Sequence, residues 1–388
     1  MNGAQRILAL FGGAVVYGQE RGNMEALCAL RDQGCDVLCL VRDEAWSKSV
    51  PPALDAVSLK WRKVPYIEQR MPGRMRWVLF RNPVAFVRAN WAFLRIAREF
   101  RPTHVHAFNS LFVLNFLPAL MLTRIPIVYR AGDKPLMHNW LWRLVWRRIV
   151  RQTIRFVANS RFTAGELMAS GVAAEDIALI YSFPPRRGAH ATPFRPPSGF
   201  ADTGPRFAYV GQITPEKGAD VLIEAFRTIA AEAPGARLFI AGRISDWWGD
   251  AWARALRDRT LADPALGDRI VFLGYIEDVP GLLDYCHVHV CPSVWDEPLA
   301  NVVMEAKLAA RPSIVFPSGG LPEIVSHGVD GFVCPEKSAN ALAAALRAYV
   351  DCPEMIGRQG AAARESLERL GFMRFREAWA AVYGAAAW

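Results

Sequence analysis

Apolar residues along this chain recur at two spacings. Arg6–Gly13 (RILALFGG) has the length and composition of a buried strand, and Thr103–Asn109 (THVHAFN), Ile125–Asp133 (IPIVYRAGD), Ala236–Arg243 (ARLFIAGR) and Arg269–Ile276 (RIVFLGYI) also read as strands. Between them lie stretches of helical spacing. Met24, Leu27 and Leu30 share one face, and Gly34 ends that element. Strand, helix and strand in regular alternation predict parallel, doubly wound α/β sheets. The alternation breaks once. Residues 184–205 carry six prolines and little periodicity, and read as a linker. A fresh strand–loop–helix series then begins at Phe207. The pattern therefore predicts a first domain over 1–183, the linker, a second domain over 206–365, and a terminal helical segment over 366–388.

Composition narrows the picture. The longest apolar run, Ala107–Leu122, is interrupted by Asn109, Asn115 and Pro118, too short and too polar for a membrane span. The first apolar run ends in glycines and reads as a strand rather than a signal peptide. Seven cysteines without a CxxC pair suit reduced thiols in the cytoplasm.

Charge is unevenly spread. Residues 1–190 hold 27 Lys/Arg against 13 Asp/Glu, whereas 191–388 hold 19 against 24. A basic first half implies an anionic partner: a membrane surface, a lipid-linked or lipopolysaccharide acceptor, or nucleic acid. No helix-turn-helix, zinc-finger or RNA-binding signature accompanies it, so nucleic acid is not expected. Two stretches concentrate the charge. Residues 60–101 interleave arginines with Trp61, Trp77, Phe80, Phe86 and Trp91. Asn139–Phe156 spaces Arg143, Arg147, Arg151 and Arg155 by four, one stripe if all lie on a helix. Either stretch suits a membrane surface at the inner face of the plasma membrane, and either suits a solvated helix face.

The candidate chemistry is concentrated in residues 291–336. A strand ends at Pro292-Ser293, and a helix is expected to start near Pro298. Glu297 and Glu305 then fall near one face, and the amides of Leu299, Ala300 and Asn301 point out of the helix N-terminus. Amides there suit a diphosphate and carboxylates suit hydroxyls, so the stretch reads as a nucleotide-sugar site. Lys217, just before a helix, sits where the helix dipole disfavours a cation, which points to a ligand role. His287, His289 and Cys291 share a strand face, but zinc takes ligands from separate elements, so no metal is expected.

Two strings carry a resemblance. Glu297-x7-Glu305 followed by Gly319-Gly320-x-Pro322-Glu323 and Gly328-x-x-Gly331-Phe332, and Gly211-x-Ile213 before Lys217-Gly218, resemble the retaining glycosyltransferases of family 4. The resemblance implies the GT-B fold, in which two Rossmann-like doubly wound domains face a central cleft and the last helix returns to the first domain. It implies a nucleotide-diphosphate sugar as substrate, no cofactor and no metal, with a glycan or lipid-linked acceptor. Carried over residue by residue, it makes Glu297, Lys217 and Asp133 catalytic. Donor contacts fall on Gln212, Lys217, Gly242, Arg243, Tyr275, Ile276, Leu299, Ala300, Asn301 and Glu305. Gly18, His106 and His138 face the cleft and the acceptor. The chain departs from the pattern at Gln212, where the family has an arginine, and at Gly132-Asp133, where it has His-Asp. The same fold serves nucleotide-sugar 2-epimerases and non-catalytic partners of membrane assemblies, which are the alternative readings.

Overall fold

A strand buried on both faces is apolar at most successive positions, and the central strands here follow that rule, whereas the edge strand Lys60–Val64 is polar and largely exposed. Ile7–Phe11 are completely buried, as are Val288–Val290. The computed structural model describes residues 5–13, 15–43, 49–66, 83–132, 134–135, 137, 139–184, 192–197, 204–244 and 250–384. The chain divides into two units, Met1–Phe183 with Phe372–Trp388, and Pro184–Gly371.

The first unit is built on seven strands: β1 (Arg6–Phe11), β2 (Asp36–Arg42), β3 (Lys60–Val64), β4 (His104–Ala107), β5 (Ile127–Ala131), β6 (Thr153–Ala158) and β7 (Ile177–Leu179). They pair in parallel in the order β3-β2-β1-β4-β5-β6-β7. The second unit has six: β8 (Arg206–Val210), β9 (Arg237–Ala241), β10 (Ile270–Gly274), β11 (Val288–Cys291), β12 (Ser313–Val315) and β13 (Gly331–Val333), in the order β10-β9-β8-β11-β12-β13. Both orders reverse direction once, between β1 and β4 and between β8 and β11. Two neighbouring strands there send their connections opposite ways, which opens a crevice beyond their carboxyl ends.

Local capping sets several helix starts. Ser160 Oγ accepts from Thr163 N at 3.1 Å, and Asn139 Oδ1 accepts from Trp142 N at 3.0 Å. The helix after Asn139 covers Trp140–Gln152 and stops there, because Thr153 enters β6 opposite Ile127. Arg155 therefore lies on a strand, and the expected four-arginine stripe is reduced to Arg143, Arg147 and Arg151. None of the helices over the described residues is long and apolar enough to cross a membrane.

The last helix, Phe372–Gly384, groups with the first unit. It packs on the helix Gly18–Arg31 and buries Trp379 and Tyr383. The change of unit falls at Gly371 rather than at 366. Residue 366 lies inside the helix Glu354–Leu370, where the Ser366 hydroxyl accepts from Lys307 Nζ at 2.7 Å within the second unit.

Candidate functional site

The second unit gathers its polar loops at the reversal between β8 and β11. After β8, the chain passes Gly211 and Gln212, makes a short 3-10 turn at Pro215–Lys217, and enters the helix Ala219–Ala230 through Gly218. After β11, Pro292–Glu297 form a loop. The two loops are stitched together by their backbones, as Val294 N and Trp295 N both donate to the Glu216 carbonyl, at 2.9 and 3.2 Å. Gly218 has φ +71°, and a Cβ there would stand 2.0 Å from the Pro292 carbonyl oxygen, so only glycine lets the loops close this tightly.

That closure brings Lys217 and Glu297, 80 positions apart, into an ion pair. The same carboxylate oxygen, Oε2, accepts from Trp295 Nε1 at 3.0 Å and from Ser293 Oγ at 3.3 Å. The Lys217 ammonium also lies 5.8 Å from the Trp295 ring centroid. The pair is partly exposed, with side-chain accessibilities of 28% and 12%. A third loop fixes the backbone of Glu297: Gly320 N donates to its carbonyl at 2.8 Å, and Gly319, at φ +54°, leaves no room for a Cβ against the same residue. Lys337 Nζ ties the loop from the far side, to Val294 O at 2.8 Å and Asp296 at 3.2 Å.

The neighbouring strand ends supply the other expected donor residues. Gly242 follows β9, and a Cβ there would lie 1.7 Å from the Gly211 carbonyl oxygen. Arg243 stacks its guanidinium 4.2 Å from the ring centroid of Tyr275, which follows β10 and is itself exposed. Ile276 is half-buried beside it. Tyr209 donates its hydroxyl to the Gln212 carbonyl at 2.6 Å, which fixes that residue's backbone.

The helix begins later than the sequence suggests. It covers Asn301–Leu308 with Ala300 as an extended N-cap, so Leu299 and Ala300 are buried and lie ahead of the helix. Asn301 and Val302 lead the helix, and Val303 N already donates to the Ala300 carbonyl at 3.1 Å. Glu297 is thus a loop residue, and the expected shared helical face with Glu305 does not exist. Glu305 sits in the second turn, half-buried. The helix is anchored from behind: buried Lys307 donates to Asp330 Oδ2 at 2.6 Å.

In the first unit, His106 departs from its expected role. It is completely buried on β4. Its Nε2 lies 2.8 Å from Asn23 Oδ1, and its Nδ1 lies 2.7 Å from the Tyr383 hydroxyl. Asn23 Nδ2 is spent on the Gln19 carbonyl, so its Oδ1 takes the imidazole Nε2–H, and Tyr383 donates to Nδ1. Burial, with Arg130 adding repulsion, pushes the imidazole pKa down to about 3. Both nitrogens are engaged inside the fold, and the residue cannot touch an acceptor. Gly18 is exposed at the first turn of its helix. Asp133 and His138 lie outside the described residues.

His289 on β11 is equally buried, with its pKa pushed down to about 3, and it meets Ser313 Oγ at 3.1 Å. His287 instead faces Arg206. Among the described residues no group of three His, Cys, Asp or Glu could hold a metal ion. Sequence reasoning missed Ser293 and Trp295, the donors that orient Glu297. The signal was an exposed tryptophan in a polar loop two residues before the acid.

Two family models tile the chain. Residues 16–183 match "Glycosyltransferase Family 4" and residues 191–366 match "Glycosyl transferases group 1". YtcC of Bacillus subtilis is 36% identical over 168 residues, which cover 42% of this chain and 40% of YtcC. The chain thus spans less than half the length of that relative. A glycogen synthase of Mycobacterium tuberculosis is 28% identical over 382 residues, covering 91% of this chain and 87% of the relative. Among solved structures, HepE of Anabaena, in complex with UDP and glucose, superimposes with a TM-score of 0.78 at 19% identity. The match covers 98% of this chain and 100% of HepE, a likeness of fold.

Proposed function

From a chain that belongs to the group 1 glycosyltransferases of family 4, we propose a transferase that moves a glycosyl unit from a nucleotide-diphosphate sugar to a cell-envelope polysaccharide, lipopolysaccharide or lipid-linked acceptor. The transfer retains anomeric configuration, needs no metal, and takes place at the cytoplasmic face of the membrane. One observation carries the reading: Lys217 and Glu297, distant in sequence, are joined at the strand reversal of the second unit.

The chemistry follows from the charges. Bond breaking leaves negative charge on the departing diphosphate. The Lys217 ammonium and the leading amides of the Asn301–Leu308 helix stabilise charge at that place. Gln212 offers hydrogen bonds but no cation, so Arg243 is the nearby guanidinium for the phosphates. When the diphosphate takes the ammonium, Glu297 is released toward the sugar hydroxyls and the positive charge developing on the sugar ring, still oriented by Ser293 and Trp295. Glu305 holds the ribose hydroxyls, and Tyr275 with Ile276 walls the base. The loop that leads to Gly18, together with His138, belongs to the acceptor side, and Asp133 serves the donor sugar.

The test uses labelled nucleotide sugars with envelope glycan and lipid extracts as acceptors. Label moving to an acceptor, undiminished by a chelator and with retained configuration by NMR, is the expected result. An epimer formed from donor alone would reassign the protein to epimerisation. Donor binding with no turnover would make it a non-catalytic partner.

A further inference from the structure

The helices Pro83–Phe100, Leu117–Thr123 and Trp140–Gln152 connect β3 to β4, β4 to β5 and β5 to β6. All three crossovers run the same way along the sheet, so right-handed connections lay them on one face of it. Inward amides bind them together. Asn90 Nδ2 donates to the Asn115 carbonyl at 3.0 Å, and its Oδ1 accepts from Ala119 N at 2.9 Å. Gln152 Nε2 donates to the Leu120 carbonyl at 2.7 Å.

Their outward faces are unlike an ordinary solvated surface. On the first helix Val84, Val87 and Trp91 follow at one-turn intervals, and Trp91 is 63% exposed. On the third, Trp140 and Leu144 lie one turn apart, and Trp140 is 76% exposed. Leu122, on the short helix packed against the first, is 73% exposed. Isolated exposed apolar residues need no explanation, but aligned ones on neighbouring helices do. Cations continue the same faces. Arg88, Arg95 and Arg98 extend the first stripe, with Glu99 held by Arg62. Arg143, Arg147 and Arg151 extend the third, and the Trp140–Gln152 helix contains no acid at all.

We propose that this three-helix face docks the protein on an anionic lipid bilayer. Trp91, Trp140 and the aliphatic side chains enter the interface, and the arginines meet the headgroup charge. Charge complementarity selects the occupant: a protein partner for an apolar stripe needs no row of arginines beside it, whereas a phosphate-bearing surface supplies the counter-charge along the whole row. The inference extends the proposed acceptor to the surface that presents it, but docking does not depend on transfer. It is measured with neither donor nor acceptor present, so its failure is separable from failure of the activity.

The experiment is co-sedimentation of the full chain with phosphatidylcholine vesicles, and with vesicles in which about a third of the lipid is phosphatidylglycerol. The wild type should bind the anionic vesicles and not the neutral ones. Arg143→Gln and Arg147→Gln should each weaken binding roughly five-fold at low salt. The double variant Trp91→Ala/Trp140→Ala should lose most binding at every ionic strength, while its thermal-shift response to a nucleotide sugar stays unchanged. Absence of wild-type binding would overturn the proposal. So would equal binding by the tryptophan variant, or wild-type binding to polyphosphate as tight as to vesicles, since each would mean polycation attraction without insertion.

Discussion

The two units share one strand order and differ at its reversal. In the second unit the crevice is floored by glycines and lined by a polar cluster that solvent reaches at Lys217, Glu297 and Trp295, with the buried Ser293 behind them. In the first unit the corresponding strand end is filled. Phe108 packs 5.0 Å from Phe11 and 5.4 Å from Phe112, and a Cβ on Gly12 would strike the Phe112 ring. The polar group there, His106, is closed off by Asn23 and Tyr383. One topology thus holds two kinds of polar network. The buried one, with every partner internal, fixes a helix to its unit. The half-exposed one can exchange a partner for a ligand, which is what a site requires.

The sharpest way to break that comparison is Glu297→Gln. Turnover should fall about 10³-fold, since the carboxylate acts on charge in the transition state, while the melting temperature changes little. A variant with transfer near wild type would remove the distinction between the two networks.

His106→Leu should do the reverse. It strands the Asn23 amide oxygen and the Tyr383 hydroxyl, and costs about 2–4 kcal/mol of stability. Hydrogen exchange in Phe372–Gly384 should accelerate, because the helix loses its buried tie. The counterpart His289→Leu should cost only about 1 kcal/mol, because His289 Nε2 has no hydrogen-bond partner among the described residues.

Acid should act on both units. The folded imidazoles of His106 and His289 protonate only near pH 3, whereas in the unfolded chain they protonate near 6.5. Between those values the unfolded state binds more protons, so stability is full above about pH 6.5 and falls as pH drops through the window. Calorimetric melting from pH 8 to pH 5 should show a loss of about 2 kcal/mol from each of these histidines. His106→Leu should flatten its unit's share of that dependence.

The smallest effect belongs to Trp295→Phe. It removes one of the donors to Glu297 and keeps the ring beside Lys217. A roughly five-fold drop in kcat is expected, with donor affinity nearly intact. A larger fall in affinity than in kcat would place Trp295 against the donor instead.

Much of this was legible in the chain. Strand and helix periods differ, so their alternation announced two parallel sheets. Lys217 stood out as a cation at a helix start, and Glu297 as one of two acids eight residues apart around another. The helix start was misread because Pro298 suits a first helical turn, whereas Ala300 is still extended, at ψ 109°. The Gly320 amide holds the Glu297 carbonyl, and Leu299 is drawn into the interior. Arg155 was misassigned because four-residue spacing continues across the boundary where the helix gives way to β6.

By itself the amino-acid order determined the elements, their parallel pairing and the residue types that could serve phosphate and sugar, because these rest on short-range periodicity and backbone permission. Only the tertiary structure decided which polar residues stay reachable. His106 lies one residue before the end of β4, and Pro292-Ser293-Val294 follow the end of β11, each at a reversal of strand order. The difference comes from Tyr383, 277 residues beyond His106, which seals one strand end, and from Gly218 and Gly319, which let the loops at the other close around an ion pair that solvent still reaches.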